Sequence, residues 1–196
     1  MRAHLQTVQA LPEAQAAPAK VSYLGFTGGI DSAGVTRVAA ALNGAVNDGF
    51  DEVQLCFSSL GGFVADGIYL YNHIRSLPVK IVGYNVGSVS SIAVAVFLAA
   101  EERYCSSHAM FMIHPTVIPS QEGMGADRLQ SALDAALADD TRTENILRER
   151  AVIPDRLLTE RRTRDVHINP EKAAEYGIVH GVREFVLPRG HQMIQI

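Results

Sequence analysis

Short apolar runs alternate along this chain with longer stretches whose apolar residues recur every three or four positions. Residues 21–26 form the first run and read as a strand, ended by Gly28 and Gly29. Asp31 or Ser32 then caps a helix whose Val35, Val38, Ala39, Leu42 and Val46 share one face, and Asn47-Asp48-Gly49 ends it. The pattern repeats with variations. Residues 53–57 are a strand, Gly61-Gly62 a turn, and 66–76 a helix with Ile68, Tyr71 and Ile74 inward. Next come a strand at 79–84, a turn at 87–90 and a helix from Ser91 to about Glu102. A strand at 109–113 precedes a Pro/Gly-rich loop that runs through Gly125. Strands separated by helices of this length predict crossover units and an α/β fold with a mostly parallel sheet.

The character changes after Gly125. Residues 126–150 predict one long helix with Leu129, Leu133, Ala136 and Leu137 on one face and Ile146 and Leu147 further on. Asp139-Asp140-Thr141 interrupts its apolar stripe. A helix this long exceeds what a compact domain commonly uses, so it reads either as a core-flanking helix or as an arm that projects to meet a neighbour. Residues 1–20, rich in Ala, Gln and Pro, read as a flexible arm, and 21–196 as one domain, since no linker divides it.

Composition narrows the function classes. The chain has 196 residues, 47% hydrophobic and 19% charged, as expected of a folded globular protein. A net charge of -4 argues against nucleic acid as the main partner. Arg161, Arg162 and Arg164 are the nearest approach to a basic cluster, and they read as a solvated or interface-pairing face. Cys56 and Cys105 lie in apolar stretches and read as buried thiols of a reducing, cytoplasmic setting. No CxxC or HExxH pattern is present, so no metal or cofactor is expected. Residues 1–20 lack the continuous apolar core of a signal peptide, and serines and glycines break the apolar stretch 79–100, so no membrane association is expected.

Three segments carry candidate chemistry. Gly87-Ser88-Val89-Ser90-Ser91-Ile92-Ala93 leaves a strand and enters an apolar helix, where a serine hydroxyl is exposed beside free N–H groups. It is not a Gly-x-Ser-x-Gly elbow, and on this segment alone a helix-capping serine is the simpler reading. Met112-Ile113-His114-Pro115 places a histidine at the carboxyl edge of the sheet, where parallel sheets gather their ligands, yet a lone histidine is more often structural. Ser59-Leu60-Gly61-Gly62 follows a strand with two glycines whose N–H groups can face a polarised carbonyl, or simply make a tight turn.

Together with Asp66-Gly67-Ile68-Tyr69, and with Arg164-Asp165 ahead of Pro170-Glu171 and Glu175-Tyr176-Gly177, these motifs resemble the proteolytic subunit of the Clp protease family in order and spacing over residues 21–185. The resemblance implies repeated ββα units of the Clp/crotonase type with a projecting helix. It also implies a serine endopeptidase acting on peptides or unfolded polypeptides. Carried over by position, Ser91 is the nucleophile, His114 the general base and Asp165 its orienting carboxylate, with the backbone N–H groups of Gly62 and Ile92 as oxyanion hole. The resemblance further implies homo-oligomeric, heptameric rings, single or stacked in pairs through the long helix; Arg164, next to Asp165, is a candidate to pair across an interface and couple assembly to activity.

This chain departs from the family pattern in several places. Leu60 stands where proline is usual, Pro115 where glutamine is usual, and the connection through Glu101-Glu102-Arg103-Tyr104 is short. Residues 11–19 are too rich in Pro and Ala to supply the usual amphipathic helix, so docking to an AAA+ unfoldase is expected to be weak, altered or absent. Two alternatives share the framework: an acyl-CoA hydratase or lyase of the crotonase type, and a non-catalytic ring subunit. A Ser-Lys dyad is disfavoured because no lysine lies between Lys80 and Lys172.

Overall fold

The structure, a computed structural model, describes residues 19–118 and 123–196. The expected N-terminal arm therefore lies outside the described residues except at its end, as does part of the loop before Gly125.

Strand β1 (Val21–Thr27) and helix α1 (Ser32–Asn47) open the fold. The Asp31 side chain accepts from the Gly34 N–H at 2.7 Å, settling which residue caps α1. Strand β2 (Glu52–Ser59), helix α2 (Val64–Ser76) and strand β3 (Lys80–Ser90) follow, then helix α3 (Ile92–Phe97). Every residue of α3 is buried, as a helix that is apolar on all sides must be. Strands β4 (Glu102–Cys105) and β5 (Met110–Ile113) precede the long helix α4 (Ala126–Arg150). Helix α5 (Asp155–Glu160), strand β6 (Val166–Ile168), helix α6 (Pro170–Glu175), and strands β7 (Gly181–Val182) and β8 (Met193–Gln195) complete it.

The sheet runs β6-β5-β3-β2-β1-β8, with β4 beside β3 and β7 beside β4. All pairs are parallel except β5 with β6. The mixed α/β architecture with a mostly parallel sheet is thus the one expected. The boundaries around the third strand differ from expectation. Residues 87–90 are strand rather than turn, because β3 changes partner along its length: residues 82–85 pair with β4 and 88–90 with β5. Asn85, fully buried, sits at the seam. Its Nδ2 donates to the Met110 carbonyl at 3.0 Å, and its Oδ1 accepts from the Gly87 N–H at 3.0 Å.

The third helix also ends earlier than its apolar run suggests. Arg103 and Arg150 collect the carbonyls left free there. Arg150 Nε donates to the Leu98 carbonyl at 3.1 Å and Arg103 NH1 to the Ala100 carbonyl at 2.9 Å. Arg103 is buried and also donates to the carbonyls of Ile178 and Gly177, and its burial lowers its pKa to about 10. Beneath the carboxyl edge of the sheet, Phe26, Phe57, Phe97 and Phe111 pack in sequence with ring centroids 5.4, 6.4 and 5.5 Å apart. All four rings are buried, and burying each contributes about 1.5–3 kcal/mol, so this row is a firmly packed part of the core.

The predicted inward faces are largely observed. Val35, Val38, Ala39 and Leu42 of α1 are buried, as are Tyr71 and Ile74 of α2. On α4, Ala136, Ile146 and Leu147 are buried while Leu129, Leu133 and Leu137 are exposed. Among the described residues, no helix is long and apolar enough to cross a membrane.

Candidate active site

Strand β3 hands over to α3 at Ser91, which adopts φ 59° and ψ -136°. Among the described residues it is the one non-glycine residue with positive φ. A side chain held there costs of order 1–3 kcal/mol, and such strain gathers at functional sites. The corner is fixed from below by the Ser91 N–H, which donates to the Met112 carbonyl of β5 at 2.8 Å. Its side chain makes no capping hydrogen bond, so the helix-cap reading of Ser91 does not hold. The turn therefore presents its hydroxyl as a strand-to-helix nucleophile elbow does, without that motif's flanking glycines.

Two glycines shape the floor beside it. Gly61 lies at φ +100°, and a Cβ there would meet the Ser91 Cβ at 2.6 Å. At Gly62 a Cβ would meet the Ile30 carbonyl oxygen at 2.2 Å. Ile30 donates to the Gly61 carbonyl and accepts from the Phe63 N–H, a parallel bridge that turns the Gly62 N–H to the other side. Among the described residues, the Ile92 N–H, a first-turn donor, likewise has no acceptor. Gly67, in the first turn of α2, lets that helix press against this corner, because a Cβ there would stand 2.2 Å from Ile92 Cγ1. Each glycine of the two sequence motifs thus has a steric reason.

A cavity of about 540 Å³ opens in front of the corner, lined among others by Ser91, Gly62, Ile92 and His114. Four of the five sequence-derived site residues therefore meet around one space. Asp165 does not line it and is exposed. The β5–β6 ladder ends at the pair Ile113↔Val166, and His114 and Asp165 are the residues that adjoin that pair in the sequence. Among the described residues, no hydrogen bond joins Ser91 to His114 or His114 to Asp165.

Sequence reasoning missed part of the cavity's lining. Asp139, Asp140 and Thr143 of α4 belong to it, together with Arg161. Arg161 is 1% exposed, so it is not part of the solvated face expected of the three arginines. Its NH2 donates to Asp140 Oδ1 at 3.3 Å. Arg162 pairs with Glu144 and Arg164 with Glu160, both within this chain. Burial pushes the Cys56 and Cys105 thiols up to about 11, which leaves both protonated and unsuited to nucleophilic or metal chemistry near neutrality. No cluster of three or more His, Cys, Asp or Glu able to hold a metal occurs among the described residues.

A strained serine at a strand-to-helix corner, the backbone of Gly62 and Ile92 and a histidine around one cavity are the parts that a serine hydrolase class of site uses, here on a parallel α/β scaffold. The Clp protease family model matches residues 20–185. The chain is 27% identical over 176 residues to the ATP-dependent Clp protease proteolytic subunit 2 of Pseudomonas aeruginosa, covering 86% of each. It is 30% identical over 152 residues to the ATP-dependent Clp protease proteolytic subunit 2 of Chlamydia muridarum, covering 75% of this chain and 72% of that one. A solved structure of a ClpP1 mutant from Listeria monocytogenes superposes with a TM-score of 0.72 at 20% identity, over 85% of this chain and 92% of that chain, and so shares the fold. The chain belongs to the Clp protease family and is a serine-type endopeptidase. The crotonase-type hydratase is not the reading these matches support.

Proposed function

We propose that this chain cleaves peptides or unfolded polypeptides through an acyl-enzyme formed on Ser91. His114 takes the Ser91 Oγ proton as the hydroxyl attacks the scissile carbonyl, and the carbonyl oxygen becomes an oxyanion facing the Gly62 and Ile92 N–H groups. As the C–N bond breaks, His114 returns the proton to the leaving amine. A water deprotonated by the same histidine then attacks the ester and frees Ser91. Asp165 orients the imidazole and stabilises its cationic form. The observation that carries this reading is the Ser91 backbone at φ 59°, ψ -136°, beside two free N–H groups. The same strain argues against a non-catalytic subunit, which has no use for it.

The active form in this proposal is a homo-oligomer: heptameric rings stacked in pairs through α4, whose exposed Leu129, Leu133 and Leu137 suit burial against a second copy. In this proposal Asp165, which is exposed and adjoins the last β5–β6 pair as His114 does, takes up its place when subunits meet. The buried, protonated thiols suit a cytoplasmic protein. The relatives' names carry ATP dependence; for this chain we propose weak or altered coupling to an AAA+ unfoldase, on the composition of residues 11–19 alone. Robust ATP-dependent degradation with the host unfoldase would overturn that point.

Hydrolysis of a fluorogenic peptide, measured alongside mass in solution, tests the main proposal. Wild type should hydrolyse it as an assembled ring and Ser91→Ala should assemble without activity. Equal hydrolysis by both would refute the assignment.

A further inference from the structure

The cavity that Ser91 lines is also lined by Thr116, Asp140 and Arg161, whose contacts the chemistry above leaves unused. Asp140 Oδ1 accepts from the Thr116 N–H at 2.7 Å and from Thr116 Oγ1 at 3.0 Å. The same oxygen accepts from Arg161 at 3.3 Å, and Arg161 is itself 1% exposed. Thr116 lies two residues after His114, on chain that has already left β5, whose last ladder pair is Ile113↔Val166. Among the described residues, the hydrogen bonds that hold the chain just beyond His114 run from Thr116 to Asp140. The residue between them is Pro115, whose ring fixes φ and also restricts His114 before it. A shift of Thr116 is therefore passed to His114 through an almost rigid link.

Resting on the peptidase reading of Ser91 and His114, we propose that Asp140 is a positioning residue for the general base. It grips Thr116 and so holds the His114 imidazole at the height of the Ser91 hydroxyl. Arg161 fixes the carboxylate in turn. Because Asp140 stands on α4, the placement of the histidine follows the placement of that helix. Misplacing a catalytic group by about 1 Å costs on the order of 100-fold in rate.

The experiment compares assembled wild type with Asp140→Ala, Asp140→Asn, Thr116→Val and the Asp140→Ala/Thr116→Val double variant. It reads peptide kcat and KM, the pH profile of kcat/KM, and the rate of fluorophosphonate labelling. Asp140→Ala should lower kcat by about 10- to 100-fold with KM within about twofold, because alignment rather than binding is lost. Asp140→Asn keeps an oxygen for the Thr116 N–H and should recover most of the loss. The acid limb of the profile should move in Asp140→Ala and stay in Asp140→Asn. The double variant should lose less than the product of the single losses, as partners in one contact do.

Equal losses in Ala and Asn, or losses that multiply in the double variant, would overturn the proposal. If Asp140→Ala does not assemble, Thr116→Val against Thr116→Ser decides: Val should be at least about fivefold slower, and equal rates overturn it. Wild type that labels at Ser91 while Asp140→Ala labels as fast defeats this inference alone. Wild type that never labels defeats the peptidase reading beneath it.

Discussion

Gly61 and Ser91 share a space that holds one side chain. A Cβ at position 61 would stand 2.6 Å from the Ser91 Cβ and 3.1 Å from its Oγ, at a backbone φ of +100° that L residues avoid. Gly61→Ala must therefore push Ser91, the proposed nucleophile, off its corner or distort the turn beside the Gly62 N–H. We expect kcat/KM to fall by on the order of 100-fold, the size of losing one oxyanion donor or misplacing the nucleophile. A circular dichroism spectrum like that of wild type should accompany the loss; activity within twofold of wild type would contradict this geometry.

Arg103 offers a test of the scaffold rather than the chemistry. Its buried guanidinium serves the carbonyls of Ala100, Gly177 and Ile178 at 2.8–3.1 Å, joining the end of α3 to the turn after α6. Arg103→Met fills the volume but leaves those oxygens unpaired, a loss of about 3–5 kcal/mol. For a chain of this size the midpoint of thermal unfolding should fall by roughly 10 °C. A shift below about 2 °C would show that water replaces the arginine at little cost.

The two thiols predict a pH dependence. Cys56 and Cys105 are raised from 9.0 to about 11 by burial, so the unfolded chain ionises them first as pH rises. Their contribution to stability is complete below pH 9 and is lost between about pH 9 and 11. Native protein at pH 8 should resist a thiol reagent, with both cysteines modified only in denaturant. Replacing both with alanine should flatten the alkaline fall in unfolding midpoint. Rapid labelling of either thiol in the native protein would contradict the burial.

On α4, Leu129, Leu133 and Leu137 are spaced four residues apart and exposed, so one face of the helix offers a continuous apolar strip. Leu133→Glu should shift the assembled protein to smaller species in sedimentation velocity and lower peptidase activity in parallel. An unchanged mass would remove the strip from the proposed ring contact.

The sequence reading and the structure part company in physically sensible places. Strands β1 and β2 and helices α1 and α2 were legible because their signals are local: Asp31 as a cap, Val35, Val38 and Leu42 on one face, paired glycines at the turn. The continuation of β3 through Ser90 was not, since Gly87-Ser88 reads as a turn until one knows that β5 waits to pair with it. Strands β4, β6, β7 and β8 have two to four residues each and exist through partners remote in sequence. For the site, Ser91, His114 and Gly62 were each weak locally and gained force from order and spacing. Asp140 was visible only as an interruption of an apolar stripe. Its partner Thr116 lies 24 positions away, and no periodicity reports such a contact.

In the proposed chemistry the hydroxyl at the β3–α3 corner is the nucleophile. Fluorophosphonate labelling of the assembled protein, followed by peptide mapping, tests it most directly. One adduct per chain is expected, on Ser91, lost in Ser91→Ala and strongly slowed in His114→Ala. An adduct on any other residue, or equal labelling of wild type and Ser91→Ala, would contradict it.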